Sequence, residues 1–584
     1  MVIRCFFRQA STVTKKRIPK TQAEAASSSG RQRNSRHEIV NQQLCDQILD
    51  RIKTTLPAPH SCDLIDIYPG EGLWSRALHA ILKPRRHVLV EPALSTYSVH
   101  LDTLLSPKGT PYRHTNLLEE AFDPTQKMLS KYDTDHDEAS GKIPRLNPSL
   151  LITANLSGAP LRIANYTGTQ SRKFFDDLYL SLWKIRGNIH RYGLVRVLAW
   201  VPDGEKDAYI PRTVAARRKQ SIMLEASYAI SEIAGASNDT KLTRFTRWPD
   251  IDVQDHIRVA AEEQTRGLKT PESRREQIPQ PDLLSFKPTS KSIRKGAFTS
   301  DAEWVFKFME LDDWLKKHDS AWYKRNASGR FRGKHIDSAE RNGAERKAWR
   351  RLLKVAETRH KTHMKAVGLV KQQRELFAEW KSLVLTAENN TLAPGEEKRL
   401  QTLAENLDQQ IKKLNRTNKV FAEKAIDDLR AYDMSPPIMW WNKREAEPLI
   451  VNDSDFHPPQ QSMALLDVVP RPEFLSRIDT HDKMVCFGYV VKTLATHIAG
   501  SLADALKSLV HEGYEEFVKT IPSIHDPTKG GWYDLSQLRV RALPAEIFVQ
   551  IALAYEKWPF RLSIESIIMM SPDPQAAYSL GDDG

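Results

Sequence analysis

A short turn rich in glycine is the part of this sequence best suited to bind a small molecule. It spans Asp66 to Ser75, follows the apolar residues Leu64 and Ile65, and leads into an amphipathic segment. A strand followed by a glycine turn and a helix lets backbone N–H groups approach a bound cofactor closely. A second apolar run, beginning at His87, ends in Glu91, whose carboxylate suits two ribose hydroxyls. Together these features predict the first half of a nucleotide-binding α/β domain.

Strand and helix patterns alternate around this turn, which predicts a parallel sheet covered by helices. The predicted strands are 64–67, 88–91, 150–155 and 194–201, and the predicted helices are 38–52, 73–82, 171–186 and 212–233. Further along, a strand is predicted at 463–469 and helices at 483–511 and 544–557.

The positive charge of the chain is concentrated in two segments. The chain has 86 Lys and Arg against 73 Asp and Glu, a formal charge of +13, and residues 1–37 and 341–381 each contribute an excess of basic residues. The first segment is rich in Arg and Ser and nearly lacks acids, which predicts a mitochondrial transit peptide; a basic tail that contacts nucleic acid is the alternative. The four cysteines show no paired spacing, so neither a disulfide framework nor a metal site is predicted. No membrane span is predicted either.

Changes in composition divide the chain into five parts. Residues 1–37 form the predicted tail, 38–264 the α/β domain, 265–299 a linker rich in Pro and Ser, 300–432 a basic insertion, and 433–584 a C-terminal domain. Apolar residues recur at helical spacing in the insertion on both sides of Leu392–Gly395, which predicts a hairpin of two long helices.

Four stretches of the α/β and C-terminal parts resemble the rRNA adenine N6-dimethyltransferase family, and within it the fungal mitochondrial transcription factor B branch. The resemblance implies a class I methyltransferase-like (Rossmann-like) α/β domain with a small helical C-terminal domain. The first stretch is the turn, which looks like the family's S-adenosylmethionine loop. The second is His114–Leu117, in which Asn116 stands where the family has an acid that binds adenine. The implied cofactor residues are Asp66, Tyr68, Gly70, Gly72, Glu91 and Asn116. Tyr68 replaces the first of the family's three glycines, and its ring is expected to crowd the path of the methionine moiety.

The third stretch is Thr153–Gly158, which resembles the family's catalytic Asn-Leu-Pro-aromatic motif. Asn155 matches the residue that holds the target amine, whereas Ser157 and Gly158 replace the proline and the aromatic. In active relatives the aromatic stacks on the flipped adenine, and such stacking contributes about 1–3 kcal/mol. Weakened or lost methyl transfer is therefore expected.

The fourth stretch is C-terminal. The segment from Trp441 to Leu449 resembles a Trp-x-x-Arg-x-x-Glu-Pro-Leu motif of the transcription-factor branch, while 456–466 and 538–548 resemble a strand entry and a helix start of the family. Trp440 and Trp441 are interpreted as packing residues.

Basic residues beside aromatics mark a candidate nucleic-acid surface in the insertion, with a solvated linker or coiled-coil face as the alternative. These residues are Lys324, Arg325, Arg330, Arg332, Lys334, Arg346, Lys347, Arg350 and Arg351.

The resemblance implies a monomeric initiation factor of the mitochondrial matrix. Its partners would be promoter DNA and the mitochondrial RNA polymerase. Two alternatives stay open: a mitochondrial small-subunit rRNA adenine N6,N6-dimethyltransferase that uses S-adenosylmethionine, and a non-catalytic mitoribosomal RNA-binding protein.

Overall fold

An eight-stranded sheet forms the centre of the molecule. The computed structural model describes residues 36–130, 132, 145–158, 161–163, 166–183, 189–237, 247–276, 303–326, 343–387, 392–459, 461–510 and 512–570. The strands are β1 (Glu38–Ile39), β2 (Asp63–Ile67), β3 (His87–Val90), β4 (Tyr112–Thr115), β5 (Leu146–Asn155), β6 (Leu161–Ile163), β7 (Tyr166–Gly168), β8 (Leu194–Pro202), β9 (Tyr228–Ala236), β10 (Leu449–Val451), β11 (Phe456–His457) and β12 (Met463–Pro470).

The large sheet has the order β10-β9-β12-β8-β5-β2-β3-β4. All its strands are parallel except β12, which runs antiparallel to both β8 and β9. This mostly parallel arrangement with one reversed strand confirms the predicted methyltransferase-like fold class. Two short antiparallel pairs, β1 with β11 and β6 with β7, lie outside the large sheet.

Helices cover both faces of the sheet. They are α1 (Gln42–Ile52), α2 (Leu73–Leu82), α3 (Leu94–Leu105), α4 (Leu118–Phe122), α5 (Gln170–Leu180), α6 (Lys219–Ser227), α7 (Pro249–Thr265), α8 (Glu303–His318), α9 (Ser320–Asn326), α10 (Gly343–Thr386), α11 (Pro394–Lys412), α12 (Arg416–Tyr432), α13 (Pro472–Leu475), α14 (His481–Thr496), α15 (Leu502–Leu509), α16 (Tyr514–Lys519), α17 (Ala545–Glu556) and α18 (Ile564–Met569). Alternate strand residues point to opposite faces, so each strand is buried on both sides. Leu64 and Leu151 pack on one face with α1 and α2, whereas Ile65 and Ile152 pack on the other with α5 and the C-terminal helices.

Three predicted helices differ from the structure. The helix predicted over 212–233 is wrong, because its second half is strand β9, in which the buried residues alternate from Tyr228 onward. The helix predicted from residue 38 begins at Gln42, since the side chain of Asn41 accepts the N–H of Leu44 and caps it. The helix predicted over 483–511 is divided into α14 and α15, and Ser501 caps the second.

The predicted helical hairpin is formed by α10 and α11, and α12 packs against both. The N-terminal part of α10 packs with α8 and α9 in a separate small core around Phe308, Trp322 and Trp349. Its C-terminal part, including Phe377 and Trp380, joins the main core. The division of the chain into an insertion and a C-terminal domain stays a prediction. No helix in the described part of the chain is long and apolar enough to cross a membrane.

Candidate functional site

The predicted glycine turn lies at the carboxyl ends of β2, β3 and β5, where open parallel sheets bind ligands. Three of its residues have left-handed backbone, with φ of 60° at Tyr68, 56° at Gly70 and 74° at Gly72. Glycine adopts this conformation freely, but it costs a residue with a Cβ roughly 1–2 kcal/mol. The chain therefore keeps the backbone path of a glycine loop even where tyrosine replaces glycine.

The carboxylate of Glu91 is fully buried at the end of β3 and is bound by the chain itself. The Arg36 guanidinium donates to both carboxylate oxygens, over 2.6 and 3.0 Å. The backbone N–H of Ala93 donates to the same carboxylate over 3.0 Å. Burial by itself would lower the pKa of Arg36, but the hydrogen bond and charge of Glu91 outweigh it and raise that pKa. The acid predicted to bind a ribose is thus paired with an arginine.

The side chain of Glu38, two residues after Arg36, fills the space over the turn. The Glu38 carboxylate lies so close to Gly70 that a Cβ there would be 1.9 Å from its Oε2. The Tyr97 hydroxyl donates to Glu38 Oε1 over 2.9 Å, and burial raises the pKa of Glu38. Arg36 lies over the rings of Tyr68 and Tyr97, at 5.0 and 5.1 Å from their centroids.

The backbone N–H and carbonyl of His37 also form hydrogen bonds with the predicted catalytic stretch, Thr153–Gly158. The Asn155 amide donates to the His37 carbonyl over 3.0 Å, and the His37 N–H donates to Ser157 Oγ over 2.9 Å. Ser157 Oγ in turn donates to Asn155 Oδ1 over 2.7 Å. Both polar ends of Asn155 are therefore satisfied within the chain. We call residues Arg36–Ile39 the N-terminal plug, and it is fixed on its outer side by the pairing of Ile39 with Phe456.

The space that remains behind the plug is too small for a nucleoside. It is a cavity of about 10 Å³, lined by Glu38, Asp66, Tyr68, Trp200 and further residues of the turn. That volume holds roughly one water molecule. Asp66 is buried 3.6 Å from His87, measured between Oδ2 and Nε2, and Asn116 is exposed after β4. In this arrangement Arg36 and Glu38 occupy the side of the turn where the resemblance implies S-adenosylmethionine.

The plug is the part of the site that sequence reasoning missed. Arg36 and His37 fall within the predicted tail, and Glu38 begins a predicted helix. Their partners are 55 and 120 positions away in the chain, at Glu91 and Ser157. No local pattern marks such contacts.

The predicted nucleic-acid residues are found in different environments. Arg346 is paired with Asp319 over 2.6 Å, and both Arg346 and Arg350 lie over the Trp322 ring. These two arginines face the small core, whereas the remaining described side chains of the set are exposed: Lys324, Lys347 and Arg351. Arg330, Arg332, Lys334 and the side chain of Arg325 lie outside the described residues.

The Trp441–Leu449 motif forms a buried network, as expected of packing residues. The Trp441 ring lies between the guanidinium groups of Arg212 and Arg444. Its centroid is 3.9 Å from Cζ of Arg212 and 4.0 Å from Cζ of Arg444. Arg444 donates to both oxygens of Glu447 over 2.8 and 3.1 Å, and is also paired with Asp255. The motif therefore connects β10 to α7 and contributes to the core.

The described residues contain no cluster of side chains that could hold a metal ion. The described residues form a closed cleft at the place expected for a cofactor, and a charged helical surface lies elsewhere.

Comparisons with known proteins agree with the resemblance drawn from the motifs. No family model matches the chain. The chain is 25% identical over 210 residues to mitochondrial transcription factor 1 of Saccharomyces paradoxus, and 23% identical over 211 residues to the protein of that name from Saccharomyces cerevisiae. Each match covers 35% of this chain and 57% of the relative, so the chain spans little more than half the length of these curated relatives.

Two solved structures align with this chain at 10% identity. A dimethyladenosine transferase from Plasmodium falciparum aligns over 48% of this chain and 89% of its own, with a TM-score of 0.22. The 23S rRNA methyltransferase ErmE aligns over 42% and 95%, with a TM-score of 0.20. These scores are too low to bear on function. The curated relatives confirm the resemblance to the mitochondrial transcription factor branch.

Proposed function

We propose that this chain is a mitochondrial transcription initiation factor that retains a methyltransferase-like fold and acts by binding nucleic acid. In this proposal it assists the mitochondrial RNA polymerase to recognise and open promoter DNA in the matrix. It does not transfer methyl groups while the N-terminal plug is in place.

The observation that carries the proposal is the closure of the cleft by the plug. Arg36 uses both oxygens of Glu91, and Glu38 covers Gly70, so neither the ribose nor the methionine part of the cofactor has room. The charge of Arg36 is matched within the chain, because Arg36 forms an ion pair with Glu91 at a distance of 2.6 Å. Removing one partner of such a buried pair typically costs about 3–5 kcal/mol, because the other charge is left uncompensated. Such a cleft supports a binding function for the fold in place of catalysis.

The similarity to the two yeast proteins supports the choice of function. Both are named mitochondrial transcription factor 1, and the shared region covers 35% of this chain. The basic, acid-poor N-terminal sequence supports the mitochondrial location, since matrix import selects such segments. The excess of basic residues supports nucleic acid as a partner.

The test is run-off transcription with the cognate mitochondrial RNA polymerase. Duplex templates that carry a mitochondrial promoter are compared with the same templates melted beforehand around the start site. We expect initiation on the duplex to require this protein and initiation on the melted template to require it much less. If the polymerase initiates equally with and without the protein on both templates, the proposed function is wrong.

A second candidate is an rRNA adenine N6,N6-dimethyltransferase, favoured by the presence of Glu91 and Asn155 at the expected strand ends. It would require the plug to leave the cleft. Calorimetry with S-adenosylmethionine, together with transfer of labelled methyl groups to mitochondrial small-subunit rRNA, tests it. Micromolar binding and labelled dimethyladenosine would establish the enzyme; the absence of both would favour the initiation factor. Binding to that rRNA without methyl transfer and without promoter activity would identify a mitoribosomal RNA-binding protein.

A further inference from the structure

One side of α10 carries a straight row of exposed basic residues. The row consists of Lys347, Arg351, Lys354, Lys361 and Lys365, and we call it the basic stripe. The spacings of four, three, seven and four residues keep all five within about 40° of one line along a helix with 3.6 residues per turn. At 1.5 Å per residue the row is roughly 27 Å long. The exposed residue Thr358 occupies the position between Lys354 and Lys361.

The opposite side of the same helix is buried in protein. Trp349 and Leu353 pack into the small core with α8 and α9, and Val367 and Val370 pack against α7 and α12. Packing of the apolar side in two separate cores therefore determines which side of α10 faces solvent, and the charges themselves do not. The stripe faces solvent along its whole length.

In the part of the chain that the structure describes, the stripe differs from the neighbouring arginines because it forms no ion pair with an acid. Arg346 is paired with Asp319, and Arg374 with Asp433 over 2.7 Å. Within the described residues, no carboxylate forms an ion pair with any of the five stripe residues. The one exposed acid of this stretch, Glu357, lies beside the stripe, three residues after Lys354 and four before Lys361, but the described ion pairs include none between it and either lysine.

Unpaired like charges at this spacing repel one another. A pair of like charges three or four residues apart destabilises a helix by roughly 0.2–0.5 kcal/mol. This repulsion is relieved when a polyanion lies along the row. Duplex nucleic acid is such a polyanion, with about one negative charge per 1.7 Å of axis, and binding releases its counterions. A membrane surface fits less well, because an interfacial helix needs an open apolar face, and the apolar face of α10 is covered.

We propose that the basic stripe binds the phosphate backbone of duplex nucleic acid without reading its sequence. The choice of duplex DNA beside the start site as the physiological ligand rests on the proposed function; the affinity of the stripe for phosphates does not. In an initiation complex the stripe would hold the duplex while other surfaces act on the melted strands.

The test compares two triple variants of the full chain that lose the same charge. Arg351→Gln, Lys354→Gln and Lys361→Gln remove the centre of the stripe. Lys398→Gln, Lys413→Gln and Lys519→Gln remove three exposed lysines from other surfaces. Affinity for a 30-base-pair duplex without promoter sequence is measured by fluorescence anisotropy over a series of salt concentrations, and thermal unfolding verifies that both variants are folded.

We expect the plot of log affinity against log salt to become less steep by about 2–3 for the stripe variant, because each phosphate contact contributes about 0.9 to the slope. The control variant should keep the slope of the unmodified chain. Equal slopes in the two variants would overturn the proposal. So would a stripe variant that loses binding to phosphatidylserine vesicles while its duplex binding is unchanged, since the stripe would then be a membrane surface.

The assay separates this proposal from the proposed function. If the protein binds the duplex through the stripe but does not affect the polymerase, the proposed function is wrong and the proposal for the stripe stands. A protein that stimulates the polymerase with the stripe removed, and whose duplex slope is unchanged, refutes the stripe alone.

Discussion

The N-terminal plug and the basic stripe are two charged regions with opposite arrangements. In the cleft, Arg36 is buried against two aromatic rings and the Glu91 carboxylate, and it donates to both oxygens of that carboxylate. On α10, five cations are exposed, and the described carboxylates form no ion pair with them. A charge that is paired inside a fold is costly to unpair, whereas aligned charges without a partner are available to a ligand. The comparison supports the proposal that this molecule binds its ligand at the surface and not in the cleft.

The largest effect is expected from removing the cation of the plug. Arg36→Ala leaves the buried Glu91 carboxylate with its backbone donors alone, and breaking a buried pair typically costs about 3–5 kcal/mol. Urea unfolding should show a loss of that size in the free energy of unfolding. Adding Glu91→Gln should recover part of it, because the uncompensated charge is removed. Lys53→Ala, which breaks an exposed pair with Asp50, is the control and should change stability by less than about 1 kcal/mol. A loss equally small for Arg36→Ala would mean that the plug does not stabilise the fold.

A second buried pair tests whether matched charge stabilises this fold in general. Burial would raise the pKa of Glu447, but the hydrogen bonds from His256 and Arg444 outweigh it and lower that pKa from 4.5 to about 2. A lowered carboxyl pKa gives stability that is present above pH 4.5 and is lost as the pH falls towards 2.

Glu447→Gln should therefore destabilise the protein by about 3 kcal/mol at pH 7, and the difference from the unmodified chain should shrink between pH 4.5 and 2. Urea unfolding over this pH range measures it. The exposed Glu445, two positions earlier, is the matched control, and Glu445→Gln should show little effect. A difference that is constant with pH would assign the effect to packing instead of charge.

A coupling energy of about 1 kcal/mol or more is expected between Gly70 and Glu38. Gly70→Ala strains a left-handed residue and places a methyl group against the Glu38 carboxylate. The substitution should cost less in the background of Glu38→Ala, where only the backbone strain of roughly 1–2 kcal/mol remains. A double-mutant cycle of unfolding free energies gives the coupling. Additive losses would show that Glu38 is able to leave the turn freely.

A smaller effect is expected at Tyr68. Tyr68→Gly relieves left-handed strain of roughly 1–2 kcal/mol and removes a cation–π contact with Arg36 of about 0.5–2 kcal/mol, so stability should change by less than about 1 kcal/mol. The substitution alone should not create a cofactor site, because Arg36 and Glu38 still fill the cleft. Calorimetry with S-adenosylmethionine measures this. Micromolar binding to the single variant would show that the ring, and not the plug, closes the cleft.

The smallest change in stability is expected on the stripe. Lys361→Gln should leave the free energy of unfolding within about 0.5 kcal/mol, because the repulsion from Lys365 and the attraction to Glu357 that it removes are of similar size. It should also make the salt dependence of duplex binding less steep by about 0.9. Anisotropy and urea unfolding on the same sample check both statements. A marked loss of stability would mean that Lys361 has a structural partner and that the stripe is not free surface.

The parts of the site built from continuous patterns could be predicted from the sequence. The turn and Glu91 were located because apolar runs mark β2 and β3, and the carboxyl ends of parallel strands lie side by side. Strand β9 was missed, since Tyr228–Ala236 follows a helix without a Gly or Pro between them and its alternation is short. The plug was missed because it is formed by contacts across much of the chain, such as Ile39 with Phe456. The stripe was only partly predicted: the excess of charge was visible, but which cations are paired depends on the packing of α8 and α9.

The contacts of the N-terminal plug determine where the chain could be cut without opening the cleft. If a peptidase removes the acid-poor segment after import by cutting before Arg36, the processed protein keeps the plug and its cleft stays closed. A cut only three residues further along would remove Arg36, His37 and Glu38, expose the turn, and leave the Glu91 carboxylate without its cation. Once folded, the plug withdraws these peptide bonds from the peptidase, because His37 is hydrogen-bonded to Ser157 and Ile39 is paired with Phe456.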